Sequence, residues 1–329
     1  MFQNRRITKN LTNTIAILLA GAFWIANAGA ETVRDASHLV PTGKGWGQQR
    51  ANAPKTTLKG NGINYHGGPV MVGTPKVYFI WYGNWGTNTT IGALPSDSQT
   101  TVALLETLFG NNGIGGSGYE LIDSTYYEVV SGAKTSVSGD LALASSITDS
   151  YSQGKRLSDS QVQAVVATAL KNGALPSDPN GIYFVLTSSD VTETSGFCTQ
   201  YCGWHTRANI GGNDIKYSFV GNPDRCPSAC EWQTSASPNN DTGADGMASV
   251  MAHESEEMIS DPDLNAWYDT RGYENADKCA WKFGPTTTES NGSVYNQTIA
   301  GLHWLIQMNW ENAGGGGCEQ LLGGPFYTR

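Results

Sequence analysis

The sequence predicts an α/β fold: a single sheet with packed helices, followed by a loop-rich second half braced by disulfides. Three observations predict it. Apolar, strand-forming runs alternate with capped amphipathic segments through the first two thirds of the chain. All six cysteines (Cys198, Cys202, Cys226, Cys230, Cys279 and Cys318) fall in the second half. Glycine is abundant, at 40 residues, while charged residues make up only 15%, a balance that favours ordered polar loops over disorder.

The N-terminus sets the compartment. Arg5, Arg6 and Lys9 precede an apolar run from Thr14 to Ile25 and the small-residue signature Ala28-Gly29-Ala30. This is the pattern of a secretory signal peptide over residues 1–30. The run is shorter than the ~20 apolar residues of a transmembrane helix. Removing it takes away three cations and no acid, which deepens the net charge of −9. So acidic a surface argues against nucleic acid and, after signal cleavage, against a membrane as partner. Residues 31–61 carry Pro41, Gly43, Gly45 and Pro54 without periodicity and read as a flexible leader. Residues 62–329 read as one α/β domain.

Within that domain, Val77 to Tyr82 is a continuous apolar and aromatic run, a buried strand. SDSQTTVALLETLFG follows as a helix stopped by Gly110 and Asn111-Asn112-Gly113. Ser158 or Asp159 caps a second helix, QVQAVVATALKNG, which ends at Gly173. Gly181 to Val191 is a second central strand, and Ile215 to Gly221 another, set inside a cysteine-rich loop. A late apolar run, Leu302 to Trp310, reads as a last strand. In an exported chain the six cysteines read as up to three disulfides, with fifteen connectivities open. The two C-x3-C pairs leave a four-cysteine zinc site as the alternative.

Chemistry concentrates in MAHESEEMISDP (251–262). At about 100° per residue, Glu257 and Glu254 fall within about 100° of His253, on the arc that also holds Met247, Val250 and Met258. Glu256 falls about 60° to the other side of His253, beside Ser249 on a polar strip, and reads as an ordinary solvated glutamate. Carboxylates and an imidazole on an apolar stripe are costly without compensation, which a divalent metal supplies. Residues i and i+4 reach one ion, and the residue at i+1 stands beside a metal-bound water as general base. The arrangement resembles the H-E-x-x-H motif of zincin-like metallopeptidase cores, with a glutamate replacing the second histidine. An acidic helix without metal is the alternative.

The segment DPDLNAWYDTRGYENADKCAW supplies the remaining ligands. Glu274 and Asp277 have a spacing similar to that of the downstream glutamate ligand and supporting aspartate of thermolysin-like zincins. Glu274 is therefore the expected third ligand and Asp277 its support, or the two exchange roles, with His253 donating its other ring nitrogen to such a carboxylate. A calcium loop in this segment, where Asp261, Asp263 and Asp269 join Glu274 and Asp277 as hard oxygen donors, is the alternative, with calcium in place of zinc. His205 is a further candidate, as fourth ligand or transition-state stabiliser. His66 and His303 read as structural.

FCTQYCGWHT (197–206), KYSFVGNPDRCPSAC (216–230), SPNNDTGADGMASVMAHESEEMISDPDLNAWYD (237–269) and ENADKCAW (274–281) occur in that order. With SVYNQ (293–297), LHWLIQMNW, Cys318 and the upstream YHGGPVM and VYFIWYGNW, they resemble the exordium family, also called phosphate-induced protein 1, over residues 62–320. The resemblance implies a secreted protein of the cell wall or extracellular space, linked in plants to growth. Some members carry HE-x-A-E followed by E-I-x-D-x-C, matched here by His253, Glu254, Glu257, Glu274, Asp277 and Cys279. Two functions follow as expectations. One is a secreted zinc-dependent peptidase or amidase with Glu254 as base. The other is a non-catalytic extracellular module with a structural metal, binding a peptide or cell-wall polymer through exposed Trp81, Trp85, Trp204 and Trp232.

Overall fold

The computed structural model describes residues 58–86 and 97–327. Residues 1–30, predicted as a signal peptide, and leader residues 31–57 lie outside the described residues. The domain begins earlier than position 62, because Leu58–Lys59 already pairs with Asn64–Tyr65, which pairs in turn with Trp267–Tyr268.

The core is a five-stranded sheet. Its strands are β1 (Lys76–Tyr82), β2 (Ala142–Asp149), β3 (Gly181–Thr187), β4 (Gly203–Ile210) and β5 (Asn213–Gly221). Their order in space is β4-β5-β3-β1-β2, with every neighbour parallel except the β4–β5 hairpin. β1 and β3 are buried along almost their whole length, as interior parallel strands must be. β2, an edge strand, alternates between exposed and half-buried positions.

β4 was not expected. Residues 203–210 read as part of a cysteine-rich loop, yet they pair residue for residue with β5, His205 standing opposite Ser218. The signal was present in Gly211-Gly212, whose φ angles of 63° and 92° suit the two-residue turn of a hairpin. The predicted last strand from Leu302 to Trp310 is also corrected. Leu302–Trp304 pairs with Gln297–Ile299, and Asn309–Glu311 pairs with Gly317–Glu319, so the run is split between two small hairpins.

Three helices pack on this frame: α1 (Gln99–Phe109), α2 (Asp159–Lys171) and α3 (Thr242–Ser260). Ser98 caps α1, and Ser158 with Gln161 forms a capping box on α2. α2 lies against β3 and β5, whereas α3 lies against β4, β5 and α1. Phe109 of α1 meets Phe79 and Phe184 edge to face on neighbouring strands, which anchors that helix in the core.

All six cysteines pair: Cys198–Cys226, Cys202–Cys230 and Cys279–Cys318. No thiol remains for a four-cysteine zinc site. The first two bonds join the segment entering β4 to the turn leaving β5, so they close the open end of the hairpin that carries His205.

Candidate metal centre

α3 is placed by its ends. At its start Asp241 accepts the Ala244 N–H at 2.9 Å and the Thr101 hydroxyl at 2.7 Å, tying α3 to α1. At its end the Asp261 carboxylate accepts the N–H groups of Asn265 and Ala266, each at 2.6 Å, and turns the chain back. The return brings residues 274–277 beside the helix, where the Asp277 N–H donates to Glu257 Oε1 at 3.0 Å. The Cys279–Cys318 disulfide holds that segment two residues further on.

The six predicted side chains converge. His205, His253, Glu254, Glu257 and Glu274 are wholly buried, and Asp277 nearly so. His253 Nε2 lies 3.0 Å from Glu257 Oε1 and 3.8 Å from Asp277 Oδ1. His205 Nε2 lies 3.3 Å and 3.4 Å from the two carboxylate oxygens of Glu274, and 3.6 Å from Glu257 Oε2. Ligand atoms of His205, Glu254 and Glu257 lie within 4.8 Å of one another, as do those of His253, Glu257 and Asp277. Neither oxygen of Glu254 has a hydrogen-bond partner, nor does either ring nitrogen of His253.

Burial governs the electrostatics. It raises the Glu254 and Asp277 carboxyls well above the usual range, and the neighbouring Glu257 adds to both shifts. Burial pulls His253 down to about 4, against the opposing attraction of Asp277 and Glu274. The imidazole is therefore neutral at physiological pH, the form in which it ligates a metal. Two nearby cations are engaged elsewhere. Arg207 and Lys216 pair with Asp214 at 2.8 Å and 3.2 Å, and both also approach Asp263.

Several expectations need correction. Glu256 is no solvated bystander, because every residue of α3 from Met247 to Ser260 is buried and the helix has no solvent face there. The helical-wheel reading assumed one. Glu256 instead meets Asn309, Asp123 and Glu120, while Asn275 donates to Asp123 at 2.8 Å. This second acidic cluster escaped the sequence reading. Its signal was Glu120 and Asp123, one turn apart around the apolar Leu121-Ile122. His253 does not direct its far nitrogen at Asp277, since Asp277 approaches Nε2, the nitrogen that also faces Glu257.

Asp261 and Asp269 accept backbone N–H groups of their own turns, and Asp263 faces Arg207 and Lys216. Trp81, Trp85 and Trp204 are core residues, not exposed platforms; Trp81 and Trp85 pack edge to face. Trp232 is half-buried against Phe283. His66 stacks on Tyr268, and His303 stacks on Tyr295 and meets Glu289, which fits the structural roles expected of them.

No helix among the described residues is long and apolar enough to cross a membrane. No solved structure matches this chain. Residues 63–313 match the family model described as the phosphate-induced protein 1 conserved region. Protein EXORDIUM-like 3 of Arabidopsis thaliana is 28% identical over 284 residues, covering 76% of this chain and 80% of that protein. Protein EXORDIUM-like 5 of the same plant is 30% identical over 296 residues, covering 75% of each. Protein PHOSPHATE-INDUCED 1 of Nicotiana tabacum is 27% identical over 224 residues, covering 63% of this chain and 67% of its own. The chain belongs to the phosphate-induced protein 1, or exordium, family.

Proposed function

We propose that this chain is an exported extracellular protein whose buried centre holds a divalent metal as a clamp between α3, β4 and residues 274–277. The observation that carries the reading is Glu254, wholly buried with neither oxygen hydrogen-bonded, among three further carboxyl groups and two imidazoles. An uncompensated buried carboxylate costs several kcal/mol, which a coordinated cation removes. Mixed imidazole and carboxylate donors suit zinc. Export agrees with the N-terminal pattern and with three disulfides, which persist in oxidising compartments.

The test is thermal unfolding of the purified protein before and after chelation. A ligand present at 1,000 times its Kd stabilises by about 4 kcal/mol, or roughly 10 °C for a domain of this size. Chelation should lower Tm by that order and added zinc should restore it. An unchanged Tm after complete removal of metal would refute the clamp.

Metal-dependent hydrolysis of a peptide or amide bond is the second reading, favoured by the same orphaned Glu254. A bound zinc would supply Lewis acidity and a water of lowered pKa. Glu254 would take the proton from that water, and His205 would hold a developing negative charge from the opposite strand. The likeness to zincins is one of motif, HExxE with a downstream glutamate, and the burial of Glu254 requires its covering residues to move before a substrate enters. That requirement ranks hydrolysis second. For a polymer or peptide partner, the surface of choice is a cleft lined by Trp232, Gln233, Asp245, Trp281 and Phe283, where aromatic faces adjoin polar groups.

A further inference from the structure

We propose that the buried centre is built for two metal ions, with Glu257 as the carboxylate between them. The inference rests on the metal-binding reading above and goes beyond it in stoichiometry and in the role of one residue. Its starting point is that the two oxygens of Glu257 serve different histidines. Oε1 lies 3.0 Å from His253 Nε2 on the same helix, and Oε2 lies 3.6 Å from His205 Nε2 on β4.

Each histidine also has a carboxylate of its own. Asp277 Oδ1 lies 3.8 Å from His253 Nε2, and Glu274 presents oxygens at 3.3 Å and 3.4 Å from His205 Nε2. Glu254 joins the His205 side, so the ligand atoms divide into two sets that share only Glu257. Around zinc with bonds of roughly 2.0–2.1 Å, adjacent ligand atoms of a tetrahedron stand roughly 3.3–3.4 Å apart. The separations of 3.0 Å and 3.8 Å about His253 bracket that spacing, and those of 3.3–3.6 Å about His205 begin at it.

Charge points the same way. Four carboxylates converge there, and the basic side chains of β4, β5 and the 274–278 segment face other acids: Arg207 and Lys216 pair with Asp214, and Lys278 approaches Asp269. One divalent ion leaves two negative charges buried unless two acids keep their protons, whereas two ions neutralise all four. A bridging carboxylate sets two metals about 3.5–4 Å apart, the separation of two-metal hydrolytic centres.

The experiment is zinc titration of the metal-depleted full chain, with bound metal counted by elemental analysis, for wild type, His205→Ala and His253→Ala. Zinc-edge X-ray absorption is recorded on the loaded wild type. The expected result is two equivalents in the wild type, one in each variant, and metal–metal scattering at about 3.5–4 Å. One equivalent without that scattering overturns the two-metal centre and leaves the clamp standing. No bound zinc overturns both. Two equivalents that persist in both variants place the metal elsewhere and overturn it too. Should either variant fail to fold, the wild-type scattering decides alone.

Discussion

His253 and Glu257 stand one turn apart on α3, with Nε2 3.0 Å from Oε1 and neither side chain exposed to water. On a solvated helix such a pair adds a few tenths of a kcal/mol. Here burial holds the imidazole neutral, so the contact is not a charge pair; a ring nitrogen and a carboxylate oxygen stand side by side. That is the geometry the proposed ligands require.

Removing His253 should therefore cost more than removing another ordered histidine. His253→Ala is expected to lose at least one equivalent of bound metal and about 3–5 kcal/mol of stability, the order of cost of removing one member of a buried charged set. His66→Ala, which loses a stacking contact with Tyr268 at 3.7 Å between centroids, should cost about 1 kcal/mol and keep the metal. Denaturant unfolding with metal analysis on both variants checks the contrast. Equal losses would remove the special status of His253.

Glu254→Gln separates the clamp from catalysis. The amide keeps the shape of the side chain and cannot act as a base. Any metal-dependent peptidase or amidase activity should fall at least 100-fold, with fold and metal content preserved. Activity that survives intact would rule Glu254 out as the base.

The second acidic cluster supplies a pH dependence. Burial lifts Asp123 to about 7 and raises Glu120 and Glu256 well above their usual range. The folded chain therefore holds protons that the unfolded chain has already released. Stability from this cluster is full below the unfolded value of about 4 and is lost as pH rises towards 7. Asp123→Asn should flatten that slope, because the amide keeps a donor towards Glu256 at every pH. Urea midpoints for both proteins between pH 4 and pH 8 measure it, and parallel slopes would contradict it.

Gly203 lets β4 approach α3. A Cβ there would stand 2.6 Å from Val250 Cγ1 and 3.1 Å from Glu254 Oε1. Gly203→Ala should destabilise by about 1–3 kcal/mol and weaken metal retention together, since the same displacement pushes α3 from His205. A loss of stability with unaltered metal affinity would uncouple the two.

The Cys279–Cys318 bond closes a 39-residue separation two residues beyond Asp277. Replacing both cysteines by alanine should cost about 4 kcal/mol by chain entropy and loosen the metal. Comparison with chelated wild type shows whether the two losses overlap.

Much of this was legible in the chain. Periodicity placed α1, α2 and the buried strands, because one apolar face or one apolar run suffices to mark them. The candidate ligands on α3 were legible because a carboxylate on an apolar arc is costly and so carries information. What failed was whatever depends on neighbours distant in sequence. Glu256 read as solvated because nothing near it announces that Asn309, from the far end of the chain, covers it. Trp85 and Trp204 read as exposed because a loop was assigned to a core-facing strand flank and to β4, and Trp81 was counted with them although it lies in the predicted buried strand. β4 was missed since its alternation is weak and its partner, β5, supplies the evidence.

The most direct measurement is elemental analysis of the purified, untagged protein after export and disulfide formation. The account predicts zinc at stoichiometric level or above, with at least one equivalent lost in His253→Ala. Folded protein with all three disulfides and no bound divalent metal would contradict it, and would leave the buried acids of α3 held by protons alone.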